Sequence, residues 1–444
     1  MYQFFVLNNR MLRHAVLVLS RVLTGLILGL FISSKIINLL GHERFAFITS
    51  YLSLILFSGF LNVGLSFTTQ RFFGRAYAIK DLHTSKSLTD SVFVVVILFS
   101  LISTILYILF QYILFNSFDF KMIVLGSIYL ILSFFASALN NISNAFSNFR
   151  INIMLALSDI FFKIIFMIYI IFFSVGIVSY FLYLIIPLAL GIILNLVFTY
   201  KSYYKKLFPI FVRGSYLRII LFNSYHNGIM SIAAAINGQL PTLLLEKYTS
   251  PVFISSRGIL TYLQTSLMQI ANVAQTVLSS GIFAKSVDNS LLFKKNIWIN
   301  FLIGFFLYFI LLFFGRHVLY LWLGSHIELL DNWIVGVGII VFSEMIGQPF
   351  MIQTHKVGKT GLYSRAEILF SVFFFAIPMY FLFLYLGCHE LYSFLAISGV
   401  LNVILKVYTF YMSDRALFDV YKKQILFVVL FLLLSYLLTL FKLY

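Results

Sequence analysis

Apolar residues fall in runs of about 20, separated by short polar connections, along the whole chain. Each run is long enough to cross a hydrocarbon core of ~30 Å as a helix. The runs predict helices at about 13–37, 44–69, 89–113, 122–147, 151–173, 179–200, 219–245, 252–282, 296–315, 332–354, 362–386 and 391–412. A last run at 424–441 predicts a thirteenth. The longest polar connection, 201–218, falls near the middle. The expected fold is therefore an all-α membrane protein of two six-helix lobes around a central cavity, plus a C-terminal helix. The lobes are 1–200 and 219–412, joined by the basic linker 201–218; 413–444 forms a second linker and a peripheral helix. A short internal echo fits two halves: Phe47-Ile48-Thr49-Ser50-Tyr51 returns 206 residues later as Phe253-Ile254-Ser255-Ser256-Arg257.

Composition agrees with the pattern. The 444 residues are 61% hydrophobic and 10% charged, where soluble domains carry about 25% charged residues. Mean hydropathy is +1.01. Arg10 and Arg13 precede the first run, as in a signal peptide, but the run is too long for a signal's apolar core and is read as a membrane helix. With the N-terminus inside, 21 of the 31 basic residues fall on inner connections, 7 on the outer side and 3 within helices. Such a bias sets orientation, with the N-terminus cytoplasmic. It also accounts for the net charge of +17 as topology and contact with anionic lipid heads. Nucleic acid is not an expected partner, because no soluble domain carries a basic patch.

Polar residues inside the runs cost free energy in lipid and so face protein or water. Several form stripes at helical spacing: Ser58, Asn62, Ser66 and Thr69, leading to Gln70 and Arg71; Ser133, Ser137, Asn140 and Asn144; Asn223, Asn227 and Ser231; Arg257, Thr261, Gln264, Asn272, Gln275 and Ser279; Ser398, Asn402, Lys406, Thr409 and Ser413. One such stripe can be helix–helix glue. Five, two of them with a cation, predict a hydrated cavity. Arg21 shares a face with Gly25 and Gly29, a small-residue pattern of close helix packing, which turns the guanidinium away from lipid. Asp159 and Lys163 are four apart and can pair. Glu344 and Glu367 lack a local partner, and either could carry a coupling proton; Glu367 lies near Arg365 at the inner surface, which favours Glu344, with Asp159 as a second candidate.

Other chemistry is not expected. The single cysteine, Cys388, cannot form an internal disulfide. Val357-Gly358-Lys359-Thr360 resembles the end of a phosphate loop, but Gln353 stands where its first glycine belongs and a membrane helix precedes it. No histidine or cysteine cluster has metal spacing, and neither metal nor cofactor is expected.

Leu39-Leu40-Gly41-His42-Glu43-Arg44-Phe45-Ala46-Phe47, followed by Asn62-Val63-Gly64-Leu65 and Gln70-Arg71-Phe72, resembles the opening of polysaccharide flippases of the MOP exporter superfamily. Phe45 and Ala46 replace the usual Tyr-Gly of that turn. Leu240-Pro241-Thr242-Leu243-Leu244 and the segment ending at Arg257 are also similar, with Asn237 or Gln239 where an acidic residue is common. The match is with the Wzx-type O-antigen flippases, and in length and helix count it spans the chain. The resemblance implies a bacterial inner-membrane protein, not an enzyme. It would move undecaprenyl-diphosphate-linked oligosaccharides between leaflets by alternating access, in contact with membrane lipids and other O-antigen assembly proteins. Arg21, Arg71, Arg257 and Lys406 would then meet the diphosphate, since guanidinium matches phosphate oxygens. Asn62, Asn227, Gln264, Asn272 and Gln275 would meet sugar. Two rivals are a MATE-like drug or cation antiporter, which needs an acidic cavity, and an O-antigen polymerase or ligase, which needs a sizeable outer loop.

Overall fold

The computed structural model describes residues 2–62, 65, 82–115, 119–145, 149–173, 176–202, 214–283, 289–323, 328–385 and 387–443; side chains of some helical residues, 2–23 among them, lie outside that description. The described residues are helical nearly throughout, with no strand. We number the helices α1 (Tyr2–Ser58), α2 (Leu82–Phe115), α3 (Phe120–Ala145), α4 (Phe149–Phe172), α5 (Ile177–Ser202), α6 (Gly214–Tyr248), α7 (Pro251–Phe283), α8 (Asn289–Leu323), α9 (Glu328–Lys356), α10 (Thr360–Leu369), α11 (Ile377–Tyr385), α12 (Leu391–Ser413) and α13 (Arg415–Leu443). Between α10 and α11 the chain runs through a π-helical segment, Phe370–Ala376, so the three pieces form one continuous rod. Nine described spans are long and apolar enough to cross a membrane.

Helices overrun the apolar runs that predict them. The run at 296–315 lies inside the 35-residue α8, which includes Lys294, Lys295, Arg316 and His317. At about 1.5 Å per residue α8 is about 52 Å long. Hydropathy marks only the apolar stretch, whereas backbone hydrogen bonding carries the helix on into its polar flanks. The first two predicted helices join as α1, with one interruption at Gly41 (φ 74°, ψ 172°) inside the predicted turn. That backbone conformation is open essentially to glycine alone. Gly41→Ala is expected to cost about 1–3 kcal/mol, read as a lower unfolding midpoint in detergent; an unchanged midpoint would mean the turn relaxes.

The chain divides into two compact units, Lys35–Lys247 and Met1–Ser34 with Tyr248–Tyr444. In the first, α2, α3 and α6 enclose a core of Leu88, Val92, Val95, Val96, Phe134, Ala138, Ile142 and Ile220. A second core gathers Tyr51, Leu54, Tyr107, Met122, Leu130 and Phe181. The Tyr107 ring fills the space a side chain at Gly126 would need, and its hydroxyl donates to the Met122 carbonyl at 2.9 Å.

In the other unit α9 is the central helix. It packs on α7, α8, α10, α12 and α13, and 83% of its apolar window is buried, against 28–39% for α8, α12 and α13. A helix hydrophobic on all sides belongs in an interior. Helix α13 packs against α8, α9 and α12. The Tyr308 hydroxyl donates to the Ser435 carbonyl at 2.8 Å and lies 3.0 Å from Thr439 Oγ1, and all three residues are buried. The C-terminal helix packs on this unit through these polar positions and through Ile425, Val428 and Leu432, with most of its surface left uncovered. The start of α1 is held at Gly29 and Leu30. The Tyr262 hydroxyl occupies the place of a Gly29 side chain, and Trp322 Nε1 donates to the Leu30 carbonyl at 2.6 Å.

Candidate functional site: a buried polar cluster around α9

Helices α7, α9 and α12 bring together Arg257 and Gln264, which share one sequence stripe, Lys406 from another, and Glu344, which belongs to none. Arg257 lies six residues into α7, about 9 Å from its start. It is 3% exposed, and its Nη1 donates to the Tyr392 hydroxyl at 2.7 Å. Its Nε is buried without a hydrogen-bond partner. Tyr392, at the start of α12, is wholly buried and packs its ring on Trp333 with centroids 4.8 Å apart. Trp333 in turn donates Nε1 to the His389 carbonyl at 3.2 Å. An aromatic wall therefore fixes the residue that holds the guanidinium.

Two turns further along α7, Gln264 Nε2 donates to Glu344 Oε1 at 3.4 Å. Lys406 and Arg257 both stand within electrostatic range of that carboxylate. Glu344, read from sequence as lacking a local partner, has partners from two other helices. Thr261, between Arg257 and Gln264 on the same face, has a buried hydroxyl without a partner. Two cations thus face one carboxylate across a group of buried hydrogen-bonding atoms, some of them unfilled. Such a place attracts an anion or bridging water.

A second carboxylate of this unit is Glu367 on α10. It is 9% exposed and accepts from Asn402 Nδ2 at 2.9 Å through Oε1, while Oε2 is buried without a partner. Sequence position near Arg365 assigned Glu367 to the inner surface; the structure buries it beside the π-helical segment. Among the described residues no group of three or more His, Cys, Asp or Glu could hold a metal.

The other sequence candidates belong to the unit Lys35–Lys247 or lie outside the described residues. Asn62 and Asn227 belong to the other unit. Asn62 Nδ2 donates to the Ser133 carbonyl at 3.3 Å, a helix–helix hydrogen bond. The Asn227 carbonyl accepts from Ser231 at 2.8 Å. Arg71 and the side chains of Arg21, Asp159, Asn272 and Gln275 lie outside the described residues. Tyr392 escaped the sequence reading, though it lies 14 residues before Lys406, four turns back on the same face of α12.

Solved structures place this architecture. Over 92% of this chain and 96% of the other, it superposes with a TM-score of 0.70 on the MATE multidrug transporter DinF-BH, at 14% identity. The fold is that of the MATE transporters. An inward-facing multidrug resistance MATE family transporter of the MOP superfamily matches at 0.66, with 14% identity over 91% and 99% of the two chains. The eukaryotic MATE transporter AtDTX14 also matches at 0.66, with 15% identity over 94% and 99%. No protein-family model matches the chain, and no curated protein matches it in sequence.

Proposed function

We propose that this chain is a flippase that moves undecaprenyl-diphosphate-linked O-antigen oligosaccharides across the bacterial inner membrane by alternating access. The observation that carries the reading is that Arg257 and Lys406 both stand within electrostatic range of the carboxylate of Glu344, in a chain with the MATE fold. A diphosphate needs fixed cations shielded from water, and Arg257 presents a guanidinium whose Nε has no protein acceptor. Arg21 and Arg71 complete the cationic set in this reading. Asn62, Asn227, Gln264, Asn272 and Gln275 serve the sugars. Glu344, with Asp159, supplies the ion-coupling group. The N-terminus is cytoplasmic.

The second reading is a MATE-like antiporter of organic cations. The multidrug transporters among the fold neighbours and the carboxylates Glu344, half-buried, and Glu367, buried, favour it. Against it stands the charge of the cluster around Glu344, where cations outnumber carboxylates. A polymerase or ligase has less in its favour, since the connections read as outer are short.

Deleting the gene in the source bacterium tests the proposal. Lipid-linked repeat units are expected to accumulate on the inner leaflet and surface O-antigen to disappear. Unaltered surface glycan in the deletion strain would reject the flippase reading.

A further inference from the structure

Helices α9 and α12 run in the same direction and approach each other closely along a seam in which one partner is repeatedly glycine. A Cβ on Gly336 would lie 2.9 Å from Tyr392 Cβ and 3.3 Å from the Tyr392 carbonyl oxygen. One on Gly399 would lie 3.4 Å from Ser343 Cβ. One on Gly347 would lie 2.7 Å from Lys406 Cδ and 3.2 Å from its Nζ. The seam therefore seats both groups that govern the cluster's charge. Gly336 admits the tyrosine that holds Arg257, and Gly347, eleven residues or three turns later on the same face, admits the lysine stem.

The two seats differ in what a methyl group would meet. At Gly336 it meets the root of a side chain and a main-chain oxygen, so the helices would have to separate. At Gly347 it meets only the far end of a flexible lysine, which can swing aside at little cost in stability. Gly347 stands one turn beyond Glu344, so the groove at its bare Cα keeps the ammonium beside that carboxylate. Glycine in a helix interior costs about 0.5–1 kcal/mol relative to alanine, and seating Lys406 is the return this structure offers for it.

We propose that Gly347 is a positioning residue for Lys406: its missing side chain holds the ammonium against α9 beside Glu344, where an anionic substrate group would be bound. This rests on the flippase reading for its functional consequence, though not for the geometry.

The test is a double-substitution cycle on Gly347→Ala and Lys406→Met, with two readouts. In the deletion strain carrying each variant, outer-leaflet glycolipid is expected to fall about tenfold with either single change, the size of one lost charge-assisted contact. The double variant should match Lys406→Met alone, because a residue acting only through Lys406 has nothing left to position. Losses that multiply, or a normal Gly347→Ala strain beside an impaired Lys406→Met strain, overturn the proposal. The second readout does not depend on transport. Lysines of the purified full-length protein are reductively 13C-methylated, which keeps their charge, and the Lys406 signal is assigned by its loss in Lys406→Met. Gly347→Ala is expected to shift that signal; an unmoved signal overturns the proposal. If the signal moves while both single variants flip normally, the seat stands and the cationic role in the flippase reading falls.

Discussion

Replacing Arg257 with methionine is expected to reduce glycolipid transfer about 100-fold, equivalent to about 3 kcal/mol, while the protein remains in the membrane at its usual abundance. The two halves of that expectation have different origins. Loss of transfer follows from removing a donor-rich group whose Nε has no protein acceptor, so an incoming anion would be its natural partner. Retained abundance follows from desolvation. A buried guanidinium held by one tyrosine hydroxyl is costly, and an apolar side chain of similar volume removes that cost. Tyr392 then loses its hydrogen bond to the guanidinium, which limits the gain. Quantitative membrane blotting beside the glycolipid assay separates the halves. Loss of the protein along with loss of transfer would make Arg257 a structural residue.

Phe342→Ala is expected to have the largest effect on stability. Phe342 is fully buried in α9 and touches the rings of Phe301, Phe305, Tyr308 and Phe431, with centroid separations of 5.8 to 6.4 Å. It also packs on Gly304, where a Cβ would lie 2.8 Å from its ring. The lipid outside is as apolar as this interior, so the loss comes from the unfilled cavity and its missing dispersion contacts, not from exposure to water. Truncations of this kind cost about 3–5 kcal/mol in soluble cores. Here the expected result is a clear fall in the unfolding midpoint in detergent and lower membrane abundance. A midpoint matching the wild type would show that α8 and α13 close over the gap.

Much of the helix order was legible because a bilayer imposes one rule on every span: about 20 apolar residues between polar ends. The break at Gly41 was legible for a similar reason, since Gly41-His42-Glu43-Arg44 interrupts an apolar run. What hydropathy cannot register is which neighbour a helix chooses. The tie of α1 to Tyr262 and Trp322, and the tie of α13 to Tyr308, depend on single side chains far apart in sequence.

The cluster was half legible. Arg257, Gln264, Glu344 and Lys406 stood out as polar groups in apolar runs, because such groups must find partners. Their partners were hidden. Tyr392 reads as one aromatic among 27 tyrosines, and Gly347 as one of 24 glycines. The role of each comes from the parallel seam of α9 and α12, a long-range property that no local pattern encodes. Asn62 is a further example of a hidden partner. It belongs to a persuasive stripe, and the structure uses its amide to bind α3 at the Ser133 carbonyl.

Reconstitution gives the most direct test of the cation cluster as a binding place for a diphosphate. The purified full-length chain is placed in liposomes containing a short undecaprenyl-diphosphate-linked oligosaccharide, and the glycolipid reaching the opposite leaflet is measured with an added glycosidase. Parallel vesicles are loaded with ethidium, a fluorescent organic cation. The account predicts glycolipid transfer that depends on Arg257 and Lys406, with no movement of ethidium. Transport of ethidium with the glycolipid left in its original leaflet would contradict it and make the chain a cation exporter.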